Sequence, residues 1–95
     1  MITSKQRAML RSMSNGIKPV ANIGKDGVDE NVLASIDAAL EARELIKVNV
    51  LENAPGTCKE TAREVAAALK AEPVQAIGNK FVLYRRSVNK PGIVL

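Results

Sequence analysis

Seven consecutive residues, Leu45-Ile46-Lys47-Val48-Asn49-Val50-Leu51, constrain this chain more than any others. Ile46, Val48 and Val50 fall on one side of the run and Lys47 and Asn49 on the other, the period-two pattern of a strand with one buried face. On both flanks the apolar period lengthens. From Asp29 to Glu44, Val32, Ile36, Ala39 and Leu40 recur at helical spacing, with Glu30, Asp37 and Glu41 on an acidic, solvated far face. From Thr57 to about Ala71 the stripe is Cys58, Ala62, Val65 and Leu69, mostly small residues suited to close packing on a sheet, beside a basic line of Lys59, Arg63 and Lys70. Strands that alternate with helices predict crossover connections, hence a mixed sheet with helices packed on it.

The remaining elements are read from their punctuation. Thr3 followed by Gln6, and Thr57 followed by Glu60, are capping boxes, in which each side chain satisfies the other residue's orphan backbone amide. The first opens a helix from Thr3 to Met13 with Met9, Leu10 and Met13 on one face and Arg7 and Arg11 on a basic edge; Ser14-Asn15-Gly16 ends it. Ile17 to Ile23 is a short strand with Pro19 near its start or on an edge, because proline has no amide to donate. Val74 to Ile77 and Lys80 to Arg85 form a hairpin about Gly78-Asn79. The expected fold is therefore α/β, a single domain spanning residues 1–95, in the order α-β-α-β-α-β-β, with a four-stranded mixed sheet and packed helices. Its longest helix is expected at Asp29 to Glu44.

Composition agrees with one compact unit. A chain of 95 residues buries roughly 60 to 68% of its unfolded surface, and 46% hydrophobic residues suffice for one core. The longest unbroken apolar run, Val65 to Leu69, is five residues, against about 20 for a membrane-spanning helix. The polar start Thr3-Ser4-Lys5-Gln6-Arg7 does not resemble a secretory signal, and a single cysteine forms no internal disulfide, so a reduced cytoplasmic setting and a monomer without membrane contact are expected. The chain has no histidine and one cysteine, which removes the usual general base, the commonest zinc ligand and any Cys/His pair. No cofactor, metal site or catalytic residue is expected. Cys58 reads as a structural thiol, Phe81 as core, and Tyr84 as core or a lone stacking surface. Fourteen Lys and Arg against ten Asp and Glu give a net charge of +4, which favours a polyanionic partner.

Gly24-Lys25-Asp26-Gly27 is the most informative tetrapeptide, because it joins a strand to the start of a helix. Glycines permit close backbone approach, amides at a helix start attract anions, and Lys25 adds a full charge. Against this stand the nearby carboxylates Asp26, Asp29 and Glu30, with Asp29 explained as an N-cap. The spacing matches neither a P-loop nor a dinucleotide fingerprint. Arg7, Arg11 and Lys18 are expected to flank the loop; Lys47, Lys80, Arg85 and Arg86 form a further candidate patch on the sheet and its end.

Lys18-Pro19-Val20, Ile23-Gly24-Lys25-Asp26-Gly27-Val28, Val32 through Ala39-Leu40, Glu44-Leu45-Ile46-Lys47-Val48, Val74-Gln75-Ala76-Ile77-Gly78 and Val82-Leu83-Tyr84-Arg85 together resemble the CRM-domain family in its bacterial single-domain, YhbY-like form. The resemblance covers nearly the whole chain in order. It implies an RNA-binding fold similar to the C-terminal domain of translation initiation factor 3, a GxxG loop likened to that of KH domains at Gly24 to Gly27, and association with precursors of the large ribosomal subunit. Arg43 stands where many members have histidine, and Arg also contacts RNA; Asp26 is an acid inside the loop.

These observations give a non-catalytic RNA-binding module that holds ribosomal RNA mainly by its backbone, using Gly24, Lys25, Asp26, Gly27, Arg7, Arg11 and Lys18, with Arg43, Lys47, Lys80, Arg85 and Arg86 as secondary contacts. The alternative is a protein-interaction adaptor on a ribonucleoprotein complex. A small RNA-processing enzyme holding Mg²⁺ on Asp26 and Asp29 is the third reading, and no ligand spacing demands it.

Overall fold

The computed structural model describes residues 2–89 and 91–93. Among them the elements run α1 (Ser4–Ser14), β1 (Pro19–Ile23), α2 (Glu30–Arg43), β2 (Leu45–Val50), α3 (Cys58–Leu69), β3 (Glu72–Ile77) and β4 (Lys80–Tyr84). This is the expected order, with α2 the longest helix. Thr3 and Thr57 cap α1 and α3 through complete capping boxes, and Asp29 caps α2 by accepting from the Val32 amide at 2.8 Å.

The sheet order is β1-β2-β4-β3. β1 lies parallel to β2, joined by the α2 crossover, while β2 and β3 both run antiparallel to β4. Pro19 begins the edge strand β1, where its missing amide costs no ladder bond. Pro73, in the other edge strand, sits beside a bulge between Pro73 and Gln75. Gly78 takes φ +61 in the two-residue turn that joins β3 to β4.

Strand alternation divides the core. Ile46, Val48 and Val50 of β2 and Phe81 and Leu83 of β4 face α2 and α3, where they bury Ile36, Leu40, Ala62, Val65 and Ala66. On the opposite face Leu10 of α1 closes over Leu45, Val74, Val82 and Tyr84. Tyr84 is thus a core residue of the smaller cluster, and Phe81 of the larger. The apolar face of α1 is thinner than its sequence implies, since Met9 and Met13 remain 38% and 44% exposed and Leu10 alone of the three is buried. One helix lying on a sheet needs only a narrow stripe.

The acidic face of α2 is exposed at Glu30 and Asp37, as expected, and also makes contacts. Asp37 pairs with Arg85 at 2.6 Å, and Arg85 also donates to the backbone oxygens of Asp37 and Leu69, so it ties β4 to α2 and α3. Glu41 accepts from the Ser87 hydroxyl and from the amides of Val88 and Asn89. Glu44, buried and at φ +66, accepts from the amides of Ser87, Gly92 and Ile93. The face read as solvated holds the segment after β4 in place.

Candidate nucleic-acid interface

The strand directions bring one set of connections to a common end of the sheet. The carboxyl ends of β1, β2 and β3 and the start of β4 meet there, with the Gly24–Gly27 turn, the 51–57 loop and the Gly78-Asn79 turn. The backbone ties them together: Leu51 donates to the Ile23 oxygen at 2.9 Å and Val50 to the Asn79 oxygen at 2.6 Å.

Within the tetrapeptide the two glycines do different work. Gly27 donates its amide to the Gly24 oxygen at 2.9 Å, closing the turn. It holds φ +66, is buried, and a Cβ there would meet Pro55 Cγ at 3.0 Å. Its requirement for glycine comes from the turn and from the neighbouring loop. Gly24 is half-buried, and a Cβ there would make only ordinary contacts, 3.5 Å to Leu51 and 3.7 Å to Asn53. Lys25 and Asp26 occupy the exposed tip. The α2 N-terminus already has a carboxylate cap, Asp29, and a second acid, Glu30, in its first turn. Its dipole is therefore largely answered from within the protein, and the side chain of Lys25 is the loop's principal cationic feature.

Lys80 stands at the loop end, and Lys47 lies at mid-sheet, level with Pro19 of β1. They lie on the side of the sheet opposite α2 and α3, Lys80 opposite Asn49 and Lys47 opposite Val82 in the β2–β4 ladder. Lys80 is exposed and Lys47 half-buried. Both border a depression of about 300 Å³ with Gln75, Ile77 and Val82.

Arg7, Arg11 and Lys18 do not flank the loop. β1 separates Lys18 from Lys25 by roughly 20 Å of extended chain. Arg7 donates its Nε to the Pro73 oxygen at 3.2 Å, near the start of β3, and Arg11 is exposed in the last turn of α1. Lys18 and Arg43 instead rim a groove of about 260 Å³ at the opposite end of the sheet, floored by Ile17, Val20 and Leu45. Arg86 is exposed beyond β4 at that end. The sequence-derived residues thus fall into a loop-end group (Gly24, Lys25, Asp26, Gly27, Lys80), Lys47 at mid-sheet, and a far-end group (Arg7, Arg11, Lys18, Arg43, Arg85, Arg86). Arg85 differs from the others because its guanidinium already serves α2 and α3.

Sequence reasoning passed over three amides. Asn22 and Asn49 face each other across the parallel β1–β2 pair, with Asn49 Nδ2 donating to Asn22 Oδ1 at 3.1 Å, and Gln75 pairs with Val82 on the same side. Only register brings residues so distant in sequence onto one surface. Cys58, read from the sequence as a structural thiol, is half-buried, and that burial pushes its thiol pKa up. It is not an activated nucleophile. Among the described residues no cluster of Cys, Asp or Glu is arranged to hold a metal ion, and no helix is long and apolar enough to cross a membrane.

Comparison with known proteins places this geometry among relatives. The family profile described as the CRS1 / YhbY (CRM) domain matches residues 2–85. YqeI of Bacillus subtilis (strain 168), described as a probable RNA-binding protein, is 44% identical over 99 aligned residues, covering 100% of this chain and 99% of that one. A Haemophilus influenzae protein named RNA-binding protein is 39% identical, covering 90% of this chain and 87% of its own. The solution structure of SAV1595 from Staphylococcus aureus superposes with a TM-score of 0.80 at 47% identity, covering 95% of each chain.

Proposed function

Because the chain belongs to the CRS1 / YhbY (CRM) domain family, we propose that it is a non-catalytic, cytoplasmic RNA-binding protein whose target is ribosomal RNA in precursors of the large ribosomal subunit. The observation that carries the reading is the placement of Lys25 at the exposed tip of a tight turn, with Lys80 at the same end of the sheet and Lys47 at mid-sheet beyond it. Lysine is a point charge with three donors and no acceptor, suited to phosphate oxygens rather than to any one base. Within the turn the Gly27 amide is spent on Gly24, which leaves the Lys25 side chain as the main contact. Lys18, Arg11 and Arg43 would extend the RNA path toward the far end, and the protein would act as a monomer without metal or cofactor.

The test is RNA titration over a series of salt concentrations, with sequencing of RNA crosslinked to the protein in cells to identify the target. Each phosphate neutralised on a single strand should contribute about −0.7 to the slope of log K against log salt. Lys25→Glu and Lys80→Glu should weaken binding to all sequences, while Lys70→Glu, at the far end of α3, should matter less. Salt-insensitive binding, or equal losses for Lys25→Glu and Lys70→Glu, would overturn the reading. Absence of any RNA binding at low salt would favour a protein adaptor instead.

A further inference from the structure

The half of the sheet that α1 leaves uncovered carries a pattern that phosphate binding does not explain. On the strand positions facing away from α2 and α3, that half presents Asn22, Lys47, Asn49, Gln75, Ile77 and Lys80, with no carboxylate among them. The two lysines make the surface complementary to a polyanion. The three amides add something lysine lacks, since each carries a donor pair and an acceptor in one plane, matching the mixed edges of nucleobases. Among the described residues Asn49 Oδ1 is shielded from solvent and has no hydrogen-bond partner, so rotation about the broad terminal torsion of that amide is what would present it to a base. Ile77, 68% exposed, offers an apolar surface beside them.

From this juxtaposition we infer that the open half-sheet is a second recognition site that reads the base edges of unpaired nucleotides. The inference rests on the RNA-binding reading above and deepens it from sequence-independent to base-dependent contact. Dimensions favour a single strand. Four strands at about 4.8 Å spacing give a width of roughly 14 Å, room for a few splayed nucleotides; double-stranded RNA is instead recognised by shape over about 16 base pairs. Stacking is not the means, because Tyr84 lies under α1 and Phe81 faces the other helices. Hydrogen bonds from Asn22, Asn49 and Gln75 must therefore supply the discrimination, with Lys47 and Lys80 holding the strand.

The experiment measures binding of short oligo-A, oligo-C and oligo-U RNAs at one low salt concentration. The proteins are the full chain, the triple variant Asn22→Thr/Asn49→Thr/Gln75→Thr and, separately, Lys25→Glu. Threonine suits a strand, and thermal melts in parallel identify loss of fold; Gln75→Thr alone serves as the milder variant should the triple one melt early. The wild-type protein should prefer one homopolymer over the others by about fivefold or more. The triple variant should flatten that preference, and Gln75→Thr should reduce it. Lys25→Glu should lower all affinities by a common factor and leave the preference intact. Equal wild-type affinities for the three RNAs, or an unchanged preference in folded amide variants, would overturn the base-reading site while leaving RNA binding standing. Failure of the wild-type protein to bind any of them would overturn the base-reading site, and failure to bind ribosomal RNA as well would remove both.

Discussion

The two faces of the one sheet are finished differently. On one, α2 and α3 bury Ile46, Val48, Val50, Phe81 and Leu83; on the other, α1, with Ile17 and Ile93 packed beside it, covers the far half and leaves amides and lysines open beside the Gly24–Gly27 turn. The contrast separates two tasks. The sealed face supplies most of the apolar burial that holds the chain together, which frees the uncovered half to carry polar residues chosen for something other than packing. Most of the candidate contacts at the loop end are correspondingly side chains whose removal leaves the core intact.

The largest effect should come from breaking the sealed face. Phe81→Ala removes a fully buried ring and should cost about 3–5 kcal/mol, whereas Leu10→Ala beneath α1 should cost about 2–3 kcal/mol, because a single helix can settle toward the sheet. Denaturant unfolding of both variants measures the difference, and equal losses would mean that the faces are not so unequal as their helices suggest.

Gly27→Val should come next, at about 2 kcal/mol, from a left-handed φ and the contact with Pro55. Its RNA affinity at a temperature where it remains folded should fall less than that of Lys25→Glu. A larger affinity loss for folded Gly27→Val would assign a ligand-binding role to that glycine.

Acid should loosen the far end of the molecule. Ser87 leads in depressing both carboxyls, through its hydroxyl at Glu41 and its amide at Glu44, so both lie below the ordinary 4.5, Glu41 at about 2. A lowered folded-state pKa means that the unfolded chain binds protons first. The stabilisation is therefore complete above about pH 4.5 and is lost as pH falls toward the folded values. Glu44→Ala should remove its share at neutral pH, about 1–3 kcal/mol from the lost hydrogen bonds to amides that it holds, and should shallow the acid limb of a melting-temperature profile. An unchanged profile would show that the segment after β4 is held by other contacts.

The smallest effect on stability belongs to the open half. Lys25→Glu and Lys80→Glu should each stay within about ±0.5 kcal/mol by thermal melting while RNA affinity falls. A large stability loss at either position would show that the open side is less independent of the fold than the comparison holds.

Much of this architecture was legible in one dimension. The alternation at Leu45–Val50, the helical stripes on both sides and the capping residues Thr3, Asp29 and Thr57 express local periodicities and backbone chemistry that each segment carries alone. Lys25 was legible too, because a short turn between a strand and a helix exposes its tip whatever the rest of the chain does. What only the tertiary structure decided depends on register and strand direction. A parallel β1–β2 pair puts Asn22 beside Asn49 and carries Lys18 to the end opposite Lys25, and a hairpin brings Gln75 and Lys80 to the same open surface. Asp37 and Glu41 of α2 read as solvated because nothing nearby in sequence claims them; Glu41 finds the Ser87 hydroxyl and the amides of Val88 and Asn89, and Asp37 finds Arg85, only after β4 has crossed the sheet, where Glu44 meets the amides of Ser87, Gly92 and Ile93. Gly27 likewise needs Pro55, a loop away, to explain its burial. Period and cap are properties of neighbouring residues, whereas the faces left open and the carboxylates drawn inward are set by contacts between segments that sequence distance conceals.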